Sequence, residues 1–431
     1  MTNIAIMFVI FLALLLLGIP VLFCLGFASL IWLLVLNPGL PVTVASQNMM
    51  SSLLSFTLIA MPGFLFVGRM MNTTGVTDRL FRFAVAVVGR FRAGLAHANA
   101  VASMLFATMS GNAVADAGGL GLVEITMMKK AGYKEEFAAG LTAASSILGP
   151  VIPPSSLMVL IGSIAQLPIG HLFYGGIIPG TVLTLAMMGL VAYRAYFTAD
   201  GKTWPRTKLP WREALKTVPG ALPALFTFVI IMGSITAGIC TPTEAAVLAI
   251  WWSIILGVCY KKLTWKGLWD TLTDTVRAAG VFLMIISVAS FFAWIVTFEG
   301  FPQALSGILT AIAGDNHTIM LLVCAVILLI AGCFLDTSSA ALLVTPIMMP
   351  AVMSLGIDPI HFSLILVVGL IVGAITPPFG LCLFVVSDVA EIPLRKVTRE
   401  ALTYLPAMVI TLLLMIIFPQ LVTWLPKVML R

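Results

Sequence analysis

The sequence predicts an all-α polytopic membrane protein with two inverted repeats, each containing about five transmembrane segments and one re-entrant helical hairpin. Three observations lead to this prediction: the hydropathy, a double-proline motif that occurs twice, and the distribution of basic residues. Of the 431 residues, 61% are hydrophobic and only 9% are charged, and the mean hydropathy is +1.13. Apolar runs of about 20 residues, long enough to cross a hydrocarbon core, recur from end to end. This composition excludes a water-soluble domain.

The second observation is a pair of breaks inside long apolar runs. Break 1 covers residues 149–156 and break 2 covers residues 373–380, and each contains two successive prolines at the same register, 224 positions apart. Proline removes a backbone donor and clashes with the preceding turn, so two in succession end a helix. Bare peptide groups are tolerated at membrane depth only where protein or a wet cavity satisfies them. Matching breaks in two halves therefore indicate a transporter binding site.

The third observation is the distribution of Lys and Arg, which prefer the cytoplasmic side of a membrane. The interrupted apolar stretch 93–128 has a basic loop at 79–92 before it and three lysines after it. Both of its ends are therefore expected in the cytoplasm, which predicts a re-entrant hairpin, hairpin 1. The stretch 319–352 is hairpin 2, and its flanking segments contain no Lys or Arg. Hairpin 2 is therefore expected to enter the membrane from the opposite side.

The remaining spans complete two repeats of similar size. Repeat 1 covers residues 1–197, a cytoplasmic linker covers 198–217, and repeat 2 covers 218–431. Repeat 1 is expected to contain scaffold helices in 1–92, followed by hairpin 1, a broken helix at 137–166 and a span at 172–192. Its scaffold helices are two crossings in 4–36 and one in 55–71.

Repeat 2 is expected to contain scaffold helices in 218–298, followed by hairpin 2, a broken helix at 362–389 and a span at 404–424. Its scaffold helices are spans at 221–240, 245–260 and 279–297, and an amphipathic connector at the membrane surface covers 261–277. An odd number of crossings per half makes the repeats inverted.

The composition also argues against several other kinds of protein. The net charge of +6 is spread over short loops, so no nucleic-acid partner is expected. The six cysteines form no CxxC pair and the four histidines show no ligand spacing, so neither disulfides nor a zinc site are expected. The sequence contains no Gly-rich phosphate loop, so the chain is not expected to hydrolyse ATP.

Four motifs together resemble one transporter family over nearly the whole chain. They are Ser110–Asp116 (SGNAVAD), Gly149–Ser155 (GPVIPPS), Thr241–Ala246 (TPTEAA) and Thr376–Gly380 (TPPFG). In this order they resemble the large membrane subunit of tripartite ATP-independent periplasmic (TRAP) transporters. That family usually has serine where this chain has Asn112.

The resemblance implies a fold similar to sodium-coupled divalent-anion symporters, in which a transport domain moves against a scaffold like an elevator. It also implies a multi-pass protein of the bacterial inner membrane, coupled to Na⁺ and without an organic cofactor. The implied partners are a small four-helix membrane subunit, a periplasmic substrate-binding protein and the lipid bilayer. The implied substrate is an organic acid, such as a dicarboxylate, a sialic acid or another sugar acid.

The breaks and the hairpin tips supply the oxygen atoms that Na⁺ would need. Na⁺ is a hard cation that prefers oxygen ligands, and an unwound membrane helix frees backbone carbonyl groups. The repeat therefore suggests two pseudo-equivalent sodium sites. The first is expected at Ser110, Asn112, Gly149, Ile152 and Pro153, and the second at Gly332, Asp336, Gly373, Thr376 and, mainly through its backbone, Phe379.

An anionic substrate is expected at the starts of half-helices, where exposed N–H groups and the helix dipole attract carboxylate. The expected contacts are Pro154, Ser155, Ser156, Thr337, Ser338, Pro377, Pro378 and Gly380. Ser155 and Ser156 are as well suited to capping the second half of their broken helix. Arg69, near the inner end of its span, is favoured as a snorkelling residue over a substrate cation.

Four acidic residues have structural alternatives to a site role. An Asp at mid-membrane costs about 2.5–3.5 kcal/mol, so it has to be paired, hydrated or near the interface. For Asp336 a ligand role is favoured over a helix N-cap, because Asn112 repeats its placement. For Asp116 and Glu124, a paired or hydrated face of hairpin 1 and a site role are equally favoured. Glu244 stands at a helix start, where an acid complements the dipole, and the structural role is favoured.

Other functions are compatible with parts of this pattern. A stand-alone sodium-coupled anion symporter of the same fold is the main alternative. An intramembrane enzyme would need a convergent constellation of His, Ser, Asp or Glu within one span, and the sequence displays none. A channel is also conceivable, but two opposed hairpins that meet at mid-depth favour alternating access.

Overall fold

The structure is a computed structural model that describes residues 2–198, 201, 204–205, 211–314, 316–377 and 380–430. All regular elements in this part of the chain are helices. In order they are α1 Thr2–Leu16, α2 Val21–Ile31, α3 Thr43–Leu53, α4 Ala60–Thr73, α5 Val76–Val88, α6 Gly94–Ser110, α7 Ala113–Ala115, α8 Gly121–Lys130, α9 Glu135–Ser145, α10 Leu148–Val151, α11 Ser156–Ala165, α12 Ile169–Phe197, α13 Trp211–Thr236, α14 Pro242–Cys259, α15 Trp265–Phe298, α16 Phe301–Ala313, α17 His317–Phe334, α18 Thr337–Ser354, α19 Pro359–Gly373, α20 Leu381–Ala390, α21 Leu394–Ala401, α22 Leu405–Ile417 and α23 Gln420–Met429.

Seven helices in the described residues are long and apolar enough to cross a membrane, or up to nine if each of two bent pairs counts as one span. The bent pairs are Thr43–Leu53 with Phe56–Thr73, at 57°, and Glu135–Val151 with Ser156–Ala165, at 40°. Only helices and closed barrels satisfy every backbone group inside lipid. The predicted all-helical, multi-pass membrane protein is therefore confirmed.

Hairpin 1 is two helical arms joined at a glycine turn. α6 ends at Ser110, and Gly111 takes a left-handed conformation with φ of 57°, which suits glycine because it has no Cβ. A π-helical turn, Asp116–Leu120, connects α7 to α8. The Asn99 amide of α6 donates to the Glu124 carboxylate of α8 over 2.7 Å. These two residues are nearly equidistant from the tip, so the arms run antiparallel.

Each hairpin packs against parts of both broken helices. α17 ends at Phe334, and α18 begins at Thr337 after an extended connection. α18 packs against α11 and α19, whereas hairpin 1 packs against α9, α10 and α20. The second half of each broken helix thus contacts the hairpin of the other half of the chain.

Several elements differ from the sequence predictions. The loop expected at 79–92 is largely the amphipathic helix α5, which buries Leu80 and Phe81 and exposes Arg82. Basic residues indicate which side of the membrane a segment faces, but they do not indicate whether the segment is a loop or a helix. The segment 299–317, which contains no Lys or Arg, includes the apolar helix α16, with Pro302 in its first turn.

Two long segments are also divided differently from the prediction. Residues 265–277 of the connector and the span after it form one continuous helix of 34 residues, α15, because no proline or glycine pair interrupts them. The span at 404–424 is two helices, since Pro419 begins a new one. α13 starts at Trp211, inside the linker predicted at 198–217, of which residues 199–200, 202–203 and 206–210 lie outside the described part of the chain.

Candidate ion and substrate site

The tip of hairpin 1 lies directly on break 1, backbone against backbone. The Gly111 carbonyl accepts hydrogen bonds from the Ser156 amide (3.2 Å) and the Ser156 hydroxyl (3.0 Å). A Cβ on Gly149 would lie 2.8 Å from the carbonyl carbon of Asn112, and a Cβ on Gly111 would collide with the Pro154 carbonyl. Glycine at these two positions is therefore needed for the close approach. The structure brings together the residues predicted for the first sodium site and the start of α11.

Hairpin 2 contacts break 2 in the same manner. A Cβ on Gly373 would lie 2.6 Å from the Gly332 Cα and 2.8 Å from the Cys333 amide nitrogen. The Thr376 hydroxyl donates to the Val372 carbonyl over 2.9 Å, and the Thr376 amide donates to the Gly373 carbonyl over 2.8 Å. Gly332, Gly373 and Thr376 are thus neighbours. Pro378 and Phe379 lie outside the described residues.

Both hairpin tips and both breaks line one central cavity of about 90 Å³. Its wall includes five of the predicted residues, and it also includes Cys382, which the sequence reasoning missed. The five are Asn112, Ser156, Asp336, Thr337 and Ser338. Because α11, α18 and α20 all begin at this wall, three positive helix ends meet at one place. Such an arrangement suits an anionic group.

Asn112 and Asp336 cap the helices that follow them with one oxygen each. Asn112 Oδ1 accepts from the amides of Val114 (2.8 Å) and Ala115 (3.3 Å). Asp336 Oδ2 accepts from the amides of Ser338 (3.0 Å) and Ser339 (3.1 Å). The N-cap alternative therefore describes the geometry of Asp336, and a ligand role has to involve its remaining oxygen lone pairs.

The serines near break 1 have different environments. Ser155 caps α11, because its hydroxyl accepts from the Met158 amide over 3.2 Å. Ser156 faces the central cavity. Ser110 is almost completely buried, and its hydroxyl oxygen has no hydrogen-bond partner among the described residues. An unpaired hydroxyl at the hairpin tip fits an oxygen ligand for a hard cation.

The other predicted residues lie in the breaks without lining the central cavity. Gly149, Ile152, Pro153 and Pro154 are buried, and the Ile152 side chain packs against Gly180 of α12. Of the break 2 residues, Pro377 is exposed and Gly380 is buried with φ of 48°. These residues are placed to contribute carbonyl groups rather than side chains.

A larger vestibule of about 540 Å³ adjoins the central cavity, and both are lined by Asn112, Val114 and Phe282. A third cavity of about 510 Å³ shares Arg69, Asn72 and Ala278 with the vestibule and adds Arg277. The sequence analysis disfavoured Arg69 as a substrate cation and missed Asn72 and Arg277. The spacing of Arg69 and Asn72, one helical turn apart on α4, was the available signal.

Glu244 has the structural role that the sequence favoured. Thr241 and Glu244 form a reciprocal capping box at the start of α14, in which the Glu244 carboxylate accepts from the Thr241 amide over 2.7 Å. This arrangement satisfies two of the amides that a helix start leaves unpaired.

Comparisons with known proteins agree with the resemblance drawn from the four motifs. Residues 8–421 match the family model described as "Tripartite ATP-independent periplasmic transporter, DctM component". The chain is 39% identical over 424 residues to the sialic acid TRAP transporter large permease protein SiaM of Vibrio cholerae, covering 97% of each chain. It is 34% identical to the C4-dicarboxylate TRAP transporter large permease protein DctM of the same organism, covering 99% of this chain and 98% of that one.

A third relative and two solved structures extend the comparison. The 2,3-diketo-L-gulonate TRAP transporter large permease protein YiaN of Escherichia coli is 31% identical, with 94% of each chain covered. The Alcanivorax borkumensis YdaH transporter has a TM-score of 0.64 at 15% identity, with 89% of each chain covered. Neisseria gonorrhoeae MtrF has a TM-score of 0.60 at 13% identity, covering 86% of this chain and 83% of that one. At these identities the two structures support the fold alone.

Proposed function

Because this chain belongs to the large permease subunits of tripartite ATP-independent periplasmic transporters, we propose that it is the membrane-embedded subunit of a sodium-coupled importer of an organic acid. The observation that carries this proposal is the central cavity, where both hairpin tips and three helix starts meet. The named relatives act on sialic acid, C4-dicarboxylate and 2,3-diketo-L-gulonate. All three substrates carry carboxylate groups, and helix starts attract carboxylate.

The sodium ions occupy the two contacts between hairpin tips and breaks. At the first contact the ligands are the Ser110 hydroxyl and carbonyl groups of break 1, with the Asn112 backbone adjacent. At the second they are carbonyl groups near Gly373, the Thr376 hydroxyl and Asp336. The chemistry supports Na⁺ over a transition metal, because these donors are neutral or carboxylate oxygens and no cluster of three His, Cys, Asp or Glu occurs in the described chain.

The substrate anion lies in the central cavity and leaves through the vestibule. Arg69 and Arg277 line that exit together with Asp274, so two of its three charged side chains are positive, and Asn72 stands beside Arg69. Arg69 lies near the end of α4, which leads into α5 with its basic residues. We therefore propose that the vestibule opens to the cytoplasm.

The chain consists of two inverted repeats whose transport elements move as an elevator. Supporting this, α11 and α20 are both 10 residues long, and each ends at a residue in the left-handed conformation, Gln166 and Glu391. A proline follows two positions after each of these residues. The paired contacts of Gly149 and Gly373 add to the correspondence. In this arrangement the hairpins and the broken helices are the moving part.

The protein works in the bacterial inner membrane with a small membrane subunit and a periplasmic binding protein. Large apolar side chains are exposed on the first helices, among them Phe23 (51%) and Leu16 (81%), and Trp265 at the start of α15 is 80% exposed. Lipid and the small subunit cover such surfaces.

Uptake into proteoliposomes tests the proposal. With the small subunit and a loaded binding protein present, organic-acid uptake is expected to require an inward sodium gradient and to stop when potassium replaces sodium. Uptake driven by ATP without sodium would contradict the proposal. The alternative, a stand-alone symporter, predicts the same sodium dependence but full uptake of free substrate without the binding protein.

A further inference from the structure

Hairpin 1 contains two carboxyl groups that the proposed transport cycle does not use. Asp116 is 1% exposed and Glu124 is completely buried. Both carboxylate oxygens of Asp116 and Oε1 of Glu124 have no hydrogen-bond partner among the described residues. The ion pairs Lys129–Glu135, Arg194–Glu400 and Lys396–Glu136 do not include these two acids. Two buried acids with unpaired oxygen atoms need a physical explanation.

Glu124 is the end of a continuous buried hydrogen-bond network. Its Oε2 accepts from the Asn99 amide (2.7 Å) and from the Thr142 hydroxyl (3.2 Å). The side-chain oxygen Oδ1 of Asn99 accepts from the Ser145 hydroxyl over 2.8 Å. The Ser103 hydroxyl lies 3.0 Å from the Ser145 hydroxyl. Two donors on Oε2 make that atom the acceptor, which leaves Oε1 as the oxygen that can carry a proton.

Electrostatics disfavours a second charge in this place. The Asp116 carboxyl lies within Coulombic range of Glu124. On the α20 side the Cys382 thiol is the titratable group that approaches Asp116. Moving one carboxylate out of water costs several kcal/mol after relaxation, and a like charge nearby adds to that cost.

We infer that Glu124 is a proton-binding site, protonated on Oε1 while Oε2 remains the acceptor of Asn99 and Thr142. This proton removes the charge of Glu124 without a metal ion. A sodium ion would need several oxygen ligands at this place, but the Asn99 and Glu124 Oε2 acceptors already receive hydrogen bonds. The site is separate from the two proposed sodium contacts, so the inference does not depend on the transport activity.

Infrared spectroscopy of the purified full chain in detergent tests this inference directly. Protonated carboxylic acids have a C=O stretching band that ionised carboxylates lack. At neutral pH the wild-type chain is expected to show such a band, and Glu124→Gln is expected to lose the component that belongs to this residue. Asp270→Asn, a change at an exposed acid on α15, is the matched control and is expected to leave the band unchanged.

The spectrum of the wild-type chain alone gives a second readout that needs no variant. The band is expected to persist at saturating sodium and to disappear when the pH is raised. Absence of any protonated-carboxyl band at neutral pH would overturn the inference. An unchanged band in Glu124→Gln, or a band that appears only after sodium is removed, would do the same, since the latter places a metal ion where the proton is proposed.

Discussion

The substitution Gly149→Ala tests whether the contact between hairpin 1 and break 1 is as close as the structure shows. The added methyl carbon would lie 2.8 Å from the Asn112 carbonyl carbon, 2.9 Å from its oxygen and 3.1 Å from the Ala113 amide nitrogen. Carbon atoms in ordinary contact are about 3.5–4.0 Å apart. All three neighbours are backbone atoms, so the hairpin tip has to move away from the break by roughly 0.7 Å.

The energetic effect can be bounded from these distances. Overpacking by one methyl group typically costs about 1–3 kcal/mol. Because the three neighbours are backbone atoms, the cost lies in the upper half of that range, about 2–3 kcal/mol, and alanine recovers up to about 1 kcal/mol of it, since glycine in a helix such as α10 is unfavourable. The net strain of about 1–2 kcal/mol corresponds to a factor of roughly 5–30 in an equilibrium constant. If Na⁺ holds the tip against the break, that factor is expected in the sodium affinity.

Thermal unfolding of the purified chain across sodium concentrations measures this factor, because a ligand that binds only the folded state raises stability by RT ln(1 + [L]/Kd). The sodium concentration at half-effect is expected to rise roughly 5–30-fold in Gly149→Ala. Gly189→Ala on α12 is the matched control, because its methyl group would meet no atom within 4 Å. A wild-type sodium midpoint in Gly149→Ala, or an equal shift in Gly189→Ala, would refute the reasoning.

Three further substitutions separate the roles assigned above. Asp336→Asn keeps a capping oxygen but removes the charge, so the variant is expected to keep the wild-type unfolding temperature without sodium and to lose part of the rise in that temperature on adding sodium. A lower unfolding temperature with a normal sodium-dependent rise would show that Asp336 acts only as a helix cap. Arg69→Gln removes a cation from the exit path and is expected to weaken substrate retention by about 1.5–3 kcal/mol in uptake assays. The control Arg82→Gln is expected to have no effect, and equal effects of the two substitutions would contradict the proposed exit path. Thr241→Ala breaks the capping box and is expected to lower the free energy of unfolding by about 1 kcal/mol in thermal unfolding. The control Thr297→Ala, at an exposed threonine on α15, is expected to leave stability unchanged, and equal losses in the two variants would show that the cap is unimportant.

The sequence predicted the features that local chemistry decides. Successive prolines interrupt a helix whatever surrounds them, so the placement of break 1 followed from the residues alone. The glycines at positions 149 and 373 were also informative, since both turned out to permit backbone contact with a hairpin. The four motifs were specific enough to predict the family.

Features that depend on long-range packing could not be predicted in this way. Arg69 and Arg277 are far apart in sequence, and only the packing of α4 beside α15 brings them to one cavity. The burial of Glu124 depends on Asn99 and Thr142 from two other helices. Helix α5 was read as a loop because its arginines were taken to indicate only the side of the membrane.

The most direct test of the central claim is equilibrium binding of radioactive sodium to the purified chain. The account predicts saturable binding in the wild-type chain and in Gly189→Ala, and a sodium affinity weaker by roughly 5–30-fold at each site in the double variant Gly149→Ala/Gly373→Ala, in which both hairpin contacts are forced apart. Absence of saturable binding in the wild-type chain, or wild-type affinity in a folded double variant, would contradict the claim that these two contacts hold Na⁺.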